Sequence, residues 1–215
     1  MLIEQILALA VGCLAAGAAV SLPFGPMGLL AARLMAERQR RAAIRVGLGC
    51  VTADVVLAFG VLVGMGWVPK LGLPNIWHAY PLWAAAGGGL LAYGAVLLTQ
   101  PLATLAAGAL PAGFKSPYRC ALTYTFIHPA SLLTFAAAFG LIHLHGDMPD
   151  AVGLRMLGVF LVGASAVAIW AVWLSIVYRA RSRVDPQLMR TIFARAFALT
   201  LMLAGGYLLA HAFRL

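Results

Sequence analysis

Charged residues are scarce in this sequence, and acidic ones are the scarcest. Only 10% of the 215 residues are charged, with six Asp and Glu against fifteen Lys and Arg. A soluble domain carries roughly 25% charged residues, whereas 63% of this chain is hydrophobic and its mean hydropathy is +0.96. Because a water-soluble fold cannot bury so large an apolar fraction, the composition excludes that class and predicts an integral membrane protein.

Cysteine is also rare. Cys13, Cys50 and Cys120 show no CxxC spacing and lie in apolar segments, so neither a disulfide framework nor a zinc site is predicted.

No basic residue precedes Arg33, whereas a secretory signal begins with Lys or Arg. The first apolar segment is therefore interpreted as a retained spanning helix. No cofactor, resident metal or enzymatic activity is predicted.

The net charge of +9 does not indicate a nucleic-acid partner, because the basic residues lie in short runs between apolar segments. Cytoplasmic connections of membrane proteins are enriched in Lys and Arg. The first, third and fifth connections hold twelve such residues and the opposite side three, which places the odd connections in the cytoplasm and both termini outside. The twelve are Arg33, Arg38, Arg40, Arg41, Arg45, Lys115, Arg119, Arg179, Arg181, Arg183, Arg190 and Arg195, and the three are Lys70, Arg155 and Arg214.

Six apolar stretches are long enough to span a bilayer, which takes about 20 residues. Their connections are short, so the sequence predicts one all-α membrane domain over residues 1–215. The six stretches are Glu4–Ala32, Ala42–Trp67, Tyr80–Thr99, Tyr118–His143, Val152–Tyr178 and Phe193–Arg214.

The two halves of the sequence resemble each other. Pro26–Leu30 parallels Pro129–Leu133, and the glycine-rich stretch Gly87–Ala92 parallels Ala204–Leu209. With three spans in each half, the second half must be inverted relative to the first, which is a transporter architecture. Repeat one is placed at about 1–100 and repeat two at about 115–215. The same glycines allow close helix contacts, within one protomer or in a homo-oligomer.

The first and fourth segments are predicted to be broken at proline. Proline lacks a backbone N–H and glycine is a weak helix former, so the stretch Ser21–Leu30 cannot continue a regular helix. Such a break is either a simple kink or a discontinuous helix at a binding site, and paired breaks favour the site. A half-helix that begins near Pro26 offers unpaired N–H groups to an anionic group. The predicted substrate-binding residues are Gly25, Pro26, Met27, His128, Pro129 and Ser131.

Asp54 lies in the middle of the second segment. An aspartate there costs about 2.5–3.5 kcal/mol on insertion scales, so we predict that it carries the coupling ion; the alternative is a purely structural hydrogen bond.

His128 either binds substrate or has its hydrogen bonds satisfied by a carbonyl group of the broken helix. His143, His145 and Asp147 are interpreted as a solvated loop. The basic run Arg38–Arg41 is interpreted as a topology anchor that attracts anionic lipid headgroups.

These motifs, in this order, resemble the LysE/RhtB-type exporters. The Gly25-Pro26 motif, the basic turn, the glycine-rich helix that leads to Asp54, the segment around His128-Pro129 and the last glycine-containing helix carry the resemblance. One difference is His128, where the family has asparagine. The resemblance implies a multi-pass protein of the bacterial inner membrane that exports an amino acid or similar zwitterion, driven by a proton or cation gradient.

Three alternatives remain at this point, one of which is a membrane scaffold protein that transports nothing. A divalent-metal exporter needs several oxygen or nitrogen ligands, and the sequence offers one intramembrane carboxylate and one histidine. A thiol-disulfide electron carrier needs two cysteines that meet near the breaks, and neither Cys13 nor Cys120 adjoins a proline.

Overall fold

The chain folds into helices in every part that the structure describes. The computed structural model describes residues 2–23, 25–64, 80–99, 116–128, 131, 134–135, 152–180 and 186–213. Within these ranges there are seven helices and no strand: α1 (Leu2–Val20), α2 (Pro26–Ala36), α3 (Arg40–Gly64), α4 (Tyr80–Thr99), α5 (Pro117–Ile127), α6 (Val152–Ala180) and α7 (Pro186–Ala212).

Two of these helices, α3 and α6, are long and apolar enough to cross a membrane, each with a mean hydropathy of 2.2. Shorter apolar stretches lie in α1, α2, α4 and α7. The all-α prediction is thus confirmed for the described residues. The count of six spans, the single domain and the inverted repeat stay predictions.

Both predicted helix breaks are present. The first apolar segment is two helices, because α1 ends at Val20 and α2 begins at Pro26. In the fourth segment α5 ends at Ile127, and His128 is extended with φ −71° and ψ 120°. Pro129 lies outside the described residues, while Ser131 is again helical. The described helices therefore end where the sequence predicts breaks, at Val20 before Pro26 and at Ile127 before His128.

Some helix ends differ from the predicted ones. Helix α7 begins at Pro186 rather than Phe193, so Arg190 and Arg195 lie on the helix and not in a connection. Likewise α3 begins at Arg40 rather than Ala42. Arginine is a good helix former and proline suits a first turn, so these helices extend beyond the apolar stretch that hydropathy detects. The bounds of α4 are those predicted.

Helix α3 lies at the centre of the larger group of helices and packs against α2, α5 and α6, while α1 packs on α6. Close approach depends on glycine. A Cβ at Gly49 would overlap the carbonyl oxygen of Tyr118 in α5, and a Cβ at Gly17 would lie 2.8 Å from the Cα of Val162 in α6. Small residues at helix interfaces are typical of packing in membranes.

Helices α3 and α6 are antiparallel. Gly47 near the start of α3 lies against the Trp170 ring, and Leu62 near its end lies against Gly158. As residue numbers rise along α3, those of its neighbours in α6 fall. The first residues of α3 and the last residues of α6 are therefore at the same end of the molecule.

Helices α4 and α7 form a separate pair whose contact is reciprocal. A Cβ at Gly87 would lie 2.8 Å from the carbonyl oxygen of Gly205 and 3.0 Å from the amide nitrogen of Leu209. A Cβ at Gly205 would lie 2.6 Å from the carbonyl oxygen of Gly87 and 2.8 Å from the amide nitrogen of Leu91. The backbones thus touch at two glycines, with leucines packed above and below.

The neighbouring glycines supply a matched test of this contact. A Cβ at Gly206 meets nothing within 4 Å, so Gly206→Ala gains helix propensity without a clash. Gly205→Ala has the same gain but must separate the backbones, and overpacking costs about 1–3 kcal/mol. We expect the thermal unfolding midpoint in detergent to fall for Gly205→Ala and to stay level or rise for Gly206→Ala. Equal midpoints for the two variants would contradict the packing described.

Candidate functional site

The two interrupted helices meet at one cavity of about 100 Å³. The cavity brings together the residues predicted for the site, with the exception of Pro129, which lies outside the described residues. The predicted residues in its wall are Gly25, Pro26, Met27, Asp54, His128 and Ser131. Among its other lining residues are Ser21, Cys50, Tyr124, Thr125, Trp170 and Thr200. A cavity of this size holds several water molecules.

At the first break, the N-terminus of α2 forms part of the cavity wall. Gly25 is the N-cap, with φ −79° and ψ −177°, and its carbonyl oxygen accepts a hydrogen bond from the amide of Leu29 at 3.1 Å. No side chain caps the helix, and the first N–H groups of any helix lack an acceptor within it. The partial positive charge of the helix start is therefore directed to the cavity region.

The turn into α2 requires glycine at position 28. A Cβ at Gly28 would overlap the carbonyl oxygen of Pro23, because the chain folds back on itself between the two residues. Only a residue without a side chain allows this close approach. The turn holds the start of α2 beside the end of α1.

Asp54 is 3% exposed and accepts a hydrogen bond from the hydroxyl of Ser21, with Oγ and Oδ2 2.6 Å apart. Ser21 is equally buried and lies in the first turn after α1, so the bond joins the first break to the middle of α3. A buried carboxyl group needs such a partner. No Lys or Arg is among the described residues that line the cavity. The cavity therefore offers Asp54 no cationic partner of its own.

His128 is held by two tyrosines. Its Nε2 atom lies 2.8 Å from the hydroxyl oxygen of Tyr93 in α4, and its ring stacks on Tyr124 with centroids 4.6 Å apart. Its backbone amide donates to the carbonyl oxygen of Tyr124, and its carbonyl oxygen accepts from the amide of Ser131. The imidazole thus has a protein partner through Nε2, which is a tyrosine of α4 and not a carbonyl group of the broken helix. Substrate binding by its other nitrogen stays a prediction.

The three cysteines are buried and have free thiols. Cys50 lies in the cavity wall and accepts a hydrogen bond from Thr125, with Oγ1 and Sγ 3.6 Å apart. Cys13 instead lies among α1, α3 and α6. The described residues contain no group of three His, Cys, Asp or Glu placed to hold a metal ion. His143, His145 and Asp147 lie outside these residues.

Sequence reasoning did not assign roles to Ser21, Tyr93, Tyr124 or Trp170. Ser21 stands at the end of α1, next to the break, and a polar residue at that position is a usable signal. Tyr93 gives no such signal, because it is 35 residues from His128 and only the fold joins them. Tyr124 is four residues before His128, a spacing that places two side chains on one face of a helix.

Comparison with protein-family models, with curated proteins and with solved structures finds no match for this chain. The resemblance to LysE/RhtB-type exporters therefore stays a prediction from the motifs.

A double-mutant cycle tests the bond between α4 and the second break. Tyr93→Phe and His128→Phe each remove the hydrogen bond between the hydroxyl and Nε2 while keeping an aromatic ring. Because either change alone already breaks the bond, we expect a coupling of about 0.5–1.5 kcal/mol in the free energy of unfolding. Chemical unfolding of the four proteins in detergent gives this value. Additive effects would show that the two side chains do not interact.

Proposed function

We propose that this protein is a secondary transporter that exports an amino acid or a similar small zwitterion from the cytoplasm, driven by a proton or cation gradient. The observation that carries the proposal is the shared cavity, whose wall contains both an uncapped helix N-terminus and the buried Asp54. An amino acid bears a carboxylate, which suits the N-terminus of α2, and an ammonium group, which suits the Asp54 carboxylate, since the described cavity wall contains no Lys or Arg. The motif resemblance to amino-acid exporters points the same way.

The surface of the molecule supports placement in a bilayer. Large apolar side chains are widely exposed, among them Leu203 at 76%, Phe160 at 71% and Leu7 at 65%. A soluble monomer rarely exposes large contiguous apolar patches, whereas lipid accepts them. We propose six spanning segments with the basic ends in the cytoplasm. Both helix breaks then lie between apolar segments, where backbone irregularity occurs at protein-lined cavities.

The reciprocal contact between α4 and α7 supports the proposed inverted repeat. The contact pairs Gly87 with Gly205 and Leu91 with Leu209, one residue from the register of the sequence comparison, and each glycine meets the other glycine and the other leucine. Two antiparallel helices related by a two-fold axis make such a contact. In transporters built this way, one repeat rocks against the other around a central site.

The role of Asp54 is tested by transport into inverted membrane vesicles. Asp54→Asn keeps the size of the side chain but removes the group that binds the coupling ion or the substrate ammonium. We expect the variant to remain folded and to lose gradient-driven uptake. The matched control is Glu37→Gln, because Glu37 is exposed, accepts hydrogen bonds from Arg33 and Gln39, and does not line the described cavity wall; its uptake should equal that of the wild type. Full activity of Asp54→Asn would contradict the assignment.

Substrate exchange separates the two roles of Asp54. If the carboxylate carries only the coupling ion, Asp54→Asn retains exchange of labelled substrate in the absence of a gradient. If the carboxylate binds the ammonium group, exchange is lost as well. A counterflow screen of the purified protein against a panel of amino acids, at two pH values, identifies the substrate for this assay.

A further inference from the structure

A second cavity lies between α3 and α6, and Met35 of α2 is also part of its wall. It is a groove of about 520 Å³, open along one side of the helix pair. Trp170 lines both the groove and the central cavity. Apolar side chains form most of its length, namely Ile44, Leu48, Val51, Val167, Ala171 and Leu174.

The groove is positively charged at one end only. Arg40 begins α3 and Arg179 lies in the last turn of α6, and the antiparallel packing places both at the same end. The guanidinium carbon of Arg40 lies 5.8 Å from the ring centroid of Tyr178. Among the described residues neither arginine has a carboxylate partner, because the acid of this region, Glu37, is paired with Arg33 at 2.7 Å.

The length of the groove matches one leaflet of a bilayer. It runs from Arg40 to Val51 along α3 and from Arg179 back to Val167 along α6, which at 1.5 Å per residue is about 17 Å. The hydrocarbon core of a bilayer is about 30 Å thick, so one leaflet contributes about 15 Å. An acyl chain that extends from the charged end therefore fills the apolar part of the groove.

We propose that this groove binds one anionic phospholipid of the cytoplasmic leaflet, with its phosphate on Arg40 and Arg179 and an acyl chain along the apolar wall. Tyr178 lies at headgroup level, where tyrosine is enriched in membrane proteins. The inference rests on the proposed membrane placement and orientation, and it does not depend on which substrate is transported. A free anion would contact the two arginines but would leave the apolar part of the groove unfilled. A second copy of the chain would bring like positive charges to this end, and these would repel.

Thermal unfolding in detergent tests the lipid site without any transport assay. The probes are dioleoyl phosphatidylglycerol, dioleoyl phosphatidylcholine and inorganic phosphate, each added to the purified full chain. We expect phosphatidylglycerol to raise the unfolding midpoint in a saturable way, and the other two to leave it nearly unchanged. An equal rise with phosphatidylcholine, or an equal rise with phosphate alone, would overturn the proposal.

Paired arginine variants separate a built site from general surface charge. Arg40→Gln with Arg179→Gln should raise the half-saturating concentration of phosphatidylglycerol about thirtyfold, since each arginine contributes a comparable share of anionic-lipid affinity. The control is Arg45→Gln with Arg119→Gln, which removes the same charge from exposed positions of α3 and α5 that do not line the groove. Its half-saturating concentration should match the wild type. An equal loss in both double variants would overturn the proposal.

A variant that fills the groove tests the acyl-chain position. Ala171 is exposed in the groove wall, so Ala171→Phe should block the apolar length while keeping both arginines. We expect this variant to lose most of the midpoint rise with phosphatidylglycerol. An unchanged rise would show that the lipid does not bind in the groove. Size-exclusion chromatography of the wild type supplies a second test, because a dimer that covers the groove would also overturn the proposal.

Discussion

The hydrogen bond between Ser21 and Asp54 joins the elements on which the candidate site depends. It links the residue that follows α1 to the centre of α3, across 33 positions of sequence, at a donor–acceptor distance of 2.6 Å. Both groups are buried, and a buried polar group without a partner costs free energy comparable to a lost hydrogen bond. The break in the first segment and the buried acid in the second therefore stabilise each other. With Gly28 packed against the carbonyl oxygen of Pro23, this bond fixes where the start of α2 lies relative to Asp54.

The helices form two packed groups that meet around the cavity. Helices α2, α5 and α6 pack around α3 and α1 packs on α6, whereas α4 and α7 pack mainly on each other through Gly87 and Gly205. The α4–α7 pair reaches the site at two places: Tyr93 bonds to His128, and Thr200 of α7 lines the cavity. In the proposed transporter, a displacement of this pair would break the bond to His128 and open one wall of the cavity. In that proposal the pair, which takes one helix from each predicted repeat, would move as a unit against the other helices.

Local physics made part of this arrangement predictable. Proline and glycine act on the backbone where they stand, so the breaks at Pro26 and beyond His128 could be read from sequence, as could the isolation of Asp54 in an apolar helix. The bounds of α4 could be predicted from its apolar stretch alone. Helices α3 and α7 begin before their apolar stretches, because their first turns contain arginine, which is polar but favours the helix. Contacts between residues distant in sequence could not be predicted, since nothing near Tyr93 indicates that α4 passes beside the second break.

Protection of Cys50 by substrate tests whether the cavity at the two helix breaks binds the substrate. Cys50 lines the cavity beside Asp54, whereas Cys13 is fully buried between other helices, so two variants that keep one or the other cysteine form a matched pair. The measurement is the rate of labelling by a small thiol reagent in membranes, with and without an amino acid that the protein transports. If substrate binds in this cavity, it should slow the labelling of Cys50 and leave the labelling rate of Cys13 unchanged. An unchanged labelling rate of Cys50 under saturating substrate would place the binding site elsewhere and contradict the assignment of this cavity as the substrate site.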